Sequence, residues 1–145
     1  MDYDLERFYK VQKFDYPVAL NEIKNGQKES HWMWYIFPQL KELGYSSTAK
    51  YYGLTKDEAI AYIKDEVLKS RLIEISEALL KLNNNNATSI FGYPDDLKLK
   101  SCMTLFSEIE VFDKVLEKFF SGKKDDKTLG LKNSLILKKK LYYLT

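Results

Sequence analysis

The chain has 145 residues, 45% of them hydrophobic and 30% charged, with 23 basic against 21 acidic side chains, which is the composition of a globular domain and excludes a disordered or fibrous chain. A lone cysteine, Cys102, cannot form an internal disulfide, and with no charged-then-apolar leader pattern at the start the expected setting is a reducing cytoplasm. The net charge of +2 is too small for a general polyanion binder, and only Arg7 and Arg71 carry the planar guanidinium that reads base edges, so sequence-specific nucleic-acid recognition is not expected.

Apolar residues recur at helical spacing and never alternate for long, so the expected fold is all-α, a single compact multi-helix domain of roughly six to eight short and medium helices. We divide the chain into a helical domain over residues 1–132 and a basic, helical C-terminal extension over residues 133–145 that belongs to the same structural unit. Leu5, Phe8, Tyr9 and Gln12 outline a short opening helix. A second begins near Asp15, carries Pro17 early and Leu20 and Ile23 inward, and stops at Gly26, which accepts a positive φ. Ser30 is placed to cap the next helix, which Pro38 limits. Its apolar run, Trp32 to Phe37, is far too short to span a bilayer.

Thr55 and Glu58 form a capping-box pattern ahead of the buried stripe Ala59, Ile60 and Ile63. The strongest periodicity runs from Glu66 to Leu82, where Val67, Leu68, Leu72, Ile75, Leu79 and Leu82 share a face, and this is the expected central helix. Asn83 to Asn86 is a loop. Further helices are expected from Asp95 or Asp96 to Phe106, from Val111 to Phe120 with Gly122 as terminator, and in the lysine-rich tail. From Lys123 to Thr145 there are seven lysines and two aspartates, a local +5 that leaves −3 on the rest. The run Lys138, Lys139 and Lys140 reads as a solvated helix end rather than a membrane or nucleic-acid contact.

The six glycines, at 26, 44, 53, 92, 122 and 130, are too scattered to form a Rossmann or P-loop cradle. One histidine and one cysteine cannot build a zinc site of the usual composition, so no metal site and no cofactor are expected, although a carboxylate-held magnesium is left open. Cys102 reads as a small buried hydrophobe. No serine has the glycine flanks of a nucleophile elbow.

Two segments stand out. Lys28 to Gln39 holds the only histidine, His31, and both tryptophans, Trp32 and Trp34. With Ser30 as N-cap, the amides after it together with Lys28 and His31 would suit an anion. In a helix Trp32 and Trp34 stand about 200° apart, so one can line a site while the other anchors the core. Gln39 can offer its amide to a ligand's polar edge. The alternative is that the aromatics are core and His31 is bonded at its rim. Ile90 to Phe106 is the second segment, in which Gly92 and Pro94 make a turn, Asp95 caps a helix and Asp96 pairs with Lys100 at the surface. If that helix is buried on more than one side, Asp96, Lys98, Ser101 or Thr104 faces a cavity instead.

Ser30-His31-Trp32-Met33-Trp34-Tyr35-Ile36-Phe37-Pro38-Gln39, Gly44 with Ser46 and Ala49, Phe91 to Phe106, Val111-Phe112, Phe119-Phe120 and Thr128-Leu129 resemble a mostly bacterial group, the domain-of-unknown-function family 1810. Tyr35 stands where that family usually has phenylalanine, Cys102 where it has serine and Lys100 where it has arginine, and the tail beyond Lys132 lies outside its pattern. The resemblance implies a compact, largely helical cytosolic domain and implies no activity. It directs attention to His31, Trp32, Trp34, Gln39, Asp95, Asp96 and Lys98.

The leading expectation is a site for a small anionic or nucleotide-like ligand, enzymatic or not. His31, Asp95 and Asp96 are its catalytic candidates, the aspartates as general base or magnesium ligand, and Lys28, Ser30, Trp32, Trp34, Gln39, Lys98 and Ser101 its binding candidates. It requires that His31 and the Asp95 to Lys98 segment meet at a cavity. The rival is a protein-interaction module without catalysis that presents Tyr3, Phe8, Tyr9, Tyr51 and Tyr52 as anchors.

Overall fold

A computed structural model describes residues 4–132. Its first helix, α1 (Glu6–Lys24), runs unbroken through Pro17, where two helices were expected. Pro17 removes one backbone donor but lies on the exposed side. The stripe Phe8, Gln12, Tyr16, Ala19 and Ile23 stays buried in one register past it, and the apolar area in that stripe outweighs one lost hydrogen bond. Gly26, at φ +84°, turns the chain away from the helix end.

Nine α-helices and one 3-10 turn are present among the described residues, more than the number expected. The excess comes from short pieces: α2 (Met33–Ile36), α3 (Ser47–Tyr52) and, later, α6 (Ala87–Phe91) have only four to six residues, too few for periodicity to register. The 3-10 turn Lys41–Leu43 lies between α2 and α3, and an isolated parallel bridge joins Leu40 to Leu54. α4 (Lys56–Lys64) opens with the expected capping box, Thr55 and Glu58 bonding reciprocally. α5 (Glu66–Leu80) is central: it packs on α1 on one side and on α8 (Glu110–Phe120) on the other. The buried Arg7 ties α1 to α3 and α4 through Tyr51 O, Gly53 O and the Glu58 carboxylate.

α7 (Asp95–Leu105) follows a turn in which Gly92 has φ +78° and the Tyr93–Pro94 bond is cis. This helix is buried on several sides, with every residue from Ser101 to Leu105 inside, because α6, α8 and α9 (Asp126–Lys132) all pack on it. Asp95 does not cap it; the N-cap is Pro94, without a side-chain bond. Asp96 does not pair with Lys100 at the surface either: it is buried and accepts from the Thr88 hydroxyl of α6 at 2.6 Å. α9 is pinned by the buried Lys132, whose ammonium donates to Thr104 O, Ser107 O and Ser107 Oγ. The extension over 133–145, its lysine run and Tyr3 lie outside the described residues.

Trp32, Phe8, Phe37, Tyr62, Phe106 and Phe112 are the bulk of the core. Phe8 is therefore not a surface anchor, and among the described tyrosines named as anchors only Tyr51 is strongly exposed. No helix among the described residues is long and apolar enough to cross a membrane.

Candidate functional site

The loop between α1 and α2 is organised by an acid that sequence reading passed over. Glu22 is only 7% exposed and sits on the buried face of α1 between Ala19 and Ile23. One carboxylate oxygen accepts from the Glu29 amide at 2.7 Å, the Ser30 amide at 2.9 Å and the Trp32 indole N–H at 2.8 Å, and the other accepts from the Ser30 hydroxyl. Burial pushes its pKa up, but the bonds from the Ser30 side chain, the Glu29 and Ser30 amides and Trp32 prevail and hold it at about 2.

Ser30 is consequently not an N-cap. α2 begins at Met33 with Trp32 as N-cap, and the Ser30 side chain and the Glu29 and Ser30 amides are turned inward onto Glu22. An interrupted stripe was the available signal, since an acid flanked by Ala19 and Ile23 on a buried face must find donors inside the fold.

With the loop fixed, its side chains meet the start of α7. Lys28, His31, Trp34, Asp95 and Lys98 line one cavity of about 300 Å³, with Trp32, Met33, Tyr35, Ser46 and Thr48 completing its wall. The two segments singled out in the sequence therefore converge. Asp95 accepts from Lys28 Nζ at 3.0 Å and from Lys98 Nζ at 2.9 Å. Burial opposes its ionisation, but these two ammonium groups lower its pKa below the usual aspartate range. Lys28 also donates to Ser30 O and is anchored by its own amide to Ile90 O. Two lysines against one carboxylate leave a local excess of positive charge.

The tryptophans divide between core and cleft, although Trp32 precedes the helix and is not set by its phase. Trp32 is 1% exposed and belongs to the core, packed edge-on against Phe91. Trp34 is half-buried, and Lys98 Nζ lies 4.1 Å from its ring centroid, a cation–π distance. His31 is exposed, and its carbonyl accepts from the Tyr35 hydroxyl at 3.0 Å. Burial, and then the bond to Asp15, raises the Tyr35 pKa, so this phenol remains a donor.

A second cavity of about 210 Å³ shares Trp34 and Lys98 with the first. It is lined further by Gln39, Leu43, Pro94, Leu97, Ser101, Asp125 and Lys127. Of the expected site residues, then, Lys28, His31, Trp32, Trp34, Asp95 and Lys98 meet at the first cavity, and Gln39 and Ser101 lie at its neighbour. Ser30 and Asp96 line neither: the first serves Glu22 and the second holds α6 to α7. Cys102 is fully buried, and burial pushes its thiol pKa well up, which leaves it inert. Among the described residues no three His, Cys, Asp or Glu side chains come together as a metal site, and Asp95 is engaged by two ammonium groups.

The fold and the site define a small all-α domain whose one histidine and a pair of lysines converge on a cleft floored by tryptophan. The chain belongs to the family described as Protein of unknown function (DUF1810), whose pattern matches residues 2–131. The crystal structure of the conserved hypothetical protein Rv1873 from Mycobacterium tuberculosis is similar to it, with 39% sequence identity over 89% of this chain and 96% of that one and a TM-score of 0.86. No curated protein matches the chain.

Proposed function

We propose that the cleft binds a small anionic molecule of the phosphate-ester class in a cytoplasmic setting, with its anionic group at Lys28, His31 and Lys98 and a planar part against Trp34. The convergence of Lys28, His31, Trp34, Asp95 and Lys98 on one 300 Å³ cavity carries this reading. Asp95 supports the site by holding both ammonium groups in place. Its depressed pKa makes it a poor proton acceptor. Anion preference comes from side-chain ammonium groups, and the Glu29 and Ser30 amides do not add to it because Glu22 holds them.

Thermal-shift titration with ribose 5-phosphate and with nucleoside monophosphates tests this. A ligand present at about 100 times its Kd stabilises the native state by about 2.7 kcal/mol, an increase in Tm of roughly 5–10 °C for a domain of this size. Lys98→Met is expected to weaken that response at least tenfold, and His31→Ala to weaken it without lowering the unliganded Tm, since His31 is exposed. No shift with any phosphate ester at millimolar concentration would overturn the proposal.

A further inference from the structure

Lys28, His31, Asp95 and Lys98 are the charged groups on the wall of the first cavity. The side chains of Lys28, Asp95 and Lys98 are no more than 20% exposed, so their fields act inside the cleft with little screening by solvent. Asp95 is bonded to both ammonium groups and takes up one of their two positive charges. A second ionised carboxylate, Glu22, lies behind the same loop and is bonded to the indole of Trp32, which forms part of the wall. His31 is exposed, and solvent weakens whatever charge it carries. The cleft therefore has a cation for one negative charge on a ligand and none for a second, which Asp95 and Glu22 would repel.

Space points the same way. The first cavity, of about 300 Å³, and the second, of about 210 Å³, have Trp34 and Lys98 in common, so a group held by the Lys98 ammonium has room on two sides. Lys98 spends one N–H on Asp95 Oδ1 and lies against the Trp34 ring, which leaves at least one of the three ammonium donors for a ligand. The second cavity has an apolar wall of Trp34, Leu43, Pro94 and Leu97, and its remaining charged residues, Asp125 and Lys127, are of opposite sign. It offers volume without a further net charge. A phosphomonoester has one substituent and close to two negative charges at neutral pH, and it would leave one of the two cavities empty. A phosphodiester has two substituents and a single charge.

We propose that the cleft selects phosphodiesters over phosphomonoesters, with the singly charged phosphate at the Lys98 ammonium and one substituent in each of the two cavities that meet there. This rests on the phosphate-ester reading above and names the kind of ester. The charge count excludes the dianion, and the paired cavities accommodate the second substituent.

Isothermal titration of the full chain with adenosine 5′-monophosphate, its methyl ester and adenylyl-(3′→5′)-adenosine, at pH 8 and at pH 5, tests this. At pH 8 the methyl ester is expected to bind about tenfold or more tighter than the monoester, and the dinucleoside about fivefold or more tighter than the methyl ester. A phosphomonoester gains a proton near pH 6, so at pH 5 it too is singly charged, and the preference for the methyl ester over it is expected to fall to about twofold. Asp95 and Glu22, both held below the ordinary carboxylate range, remain ionised throughout, and His31 faces every ligand, so its charge drops out of their ratios. Leu97 lines the second cavity and leaves nearly half of its surface open, so Leu97→Trp fills that space without disturbing the core and is expected to erase the advantage of the dinucleoside. Monoester binding as tight as that of the methyl ester at pH 8, a preference of the same size at pH 5, or a dinucleoside advantage that is absent or survives Leu97→Trp would overturn the inference while the phosphate-ester reading stands. If none of the three ligands binds at either pH, that reading falls and this inference with it.

Discussion

Replacing Glu22 separates the contribution of its charge from that of its hydrogen bonds. In Glu22→Gln the carbonyl takes the place of the oxygen that accepts from the Glu29 amide, the Ser30 amide and the Trp32 indole, and the new amide faces the Ser30 hydroxyl, which can rotate to accept. All partners survive and only the charge is lost. Charge-assisted bonds are roughly twice as strong as neutral ones, so the expected cost is about 1–2 kcal/mol, or roughly 3–8 °C in Tm. Glu22→Leu strands three N–H donors, one of them on the fully buried Trp32, and is expected to cost about 3–5 kcal/mol.

The pH dependence fixes the mechanism. Glu22 titrates at about 2 in the folded protein against an ordinary value of 4.5. A depressed pKa contributes stability that is fully present above about 4.5 and is lost as the pH falls toward 2. At about 1.4 kcal/mol per factor of ten the gap corresponds to roughly 3 kcal/mol, an upper bound on the cost expected of Glu22→Gln. Circular-dichroism melts of wild type and Glu22→Gln at pH 7 and pH 3 should therefore show a gap at neutral pH that narrows in acid. A gap of the same size at both pH values, or Glu22→Leu as stable as Glu22→Gln, would refute the reasoning.

Two glycines should respond with opposite sign to alanine: at Gly53 a Cβ would stand 2.5 Å from Lys41 Cα and 2.8 Å from Ala49 O, both rigid backbone, for an expected loss of about 1–3 kcal/mol. At Gly130, inside α9 with nothing within 4 Å, helix propensity predicts a gain of about 0.5–1 kcal/mol; denaturant titration of both variants reads the two signs together. Cys102, fully buried with its thiolate disfavoured, should react with an aromatic disulfide reagent at least 100-fold more slowly in buffer than in urea on an order-of-magnitude basis, and comparable rates would mean that α7 opens readily.

Much of this fold was readable from neighbours in sequence. The capping box of Thr55 and Glu58, the α5 stripe from Leu68 to Leu79 and the terminator at Gly26 depend on residues one to four positions apart, where local geometry leaves few alternatives, although Val67 is exposed and the helix ends at Leu80, before Leu82. The sequence pattern also singled out both segments that meet at the cleft, the first because histidine and tryptophan are rare side chains with heavy chemical consequences and the second by its Gly92–Pro94 turn ahead of a helix that opens with two aspartates. The continuity of α1 through Pro17 was not readable, since the local cost of proline is visible in sequence and the burial that offsets it is not.

The same distinction runs through the site. By itself the sequence determined that the chain is helical, where its strongest helices lie, and which unusual side chains stand together along it. Only the tertiary structure decided that Asp95 holds Lys28 and Lys98 instead of capping α7, that Glu22 takes the amides of Ser30 and its neighbour Glu29, and that Gln39, alone among the described residues, keeps a buried side-chain nitrogen without a partner. The physical reason is that helix periodicity is set by bonds along the chain, whereas the partner of a buried polar group is chosen among residues distant in sequence, by desolvation and by whichever donor or acceptor packing brings within reach.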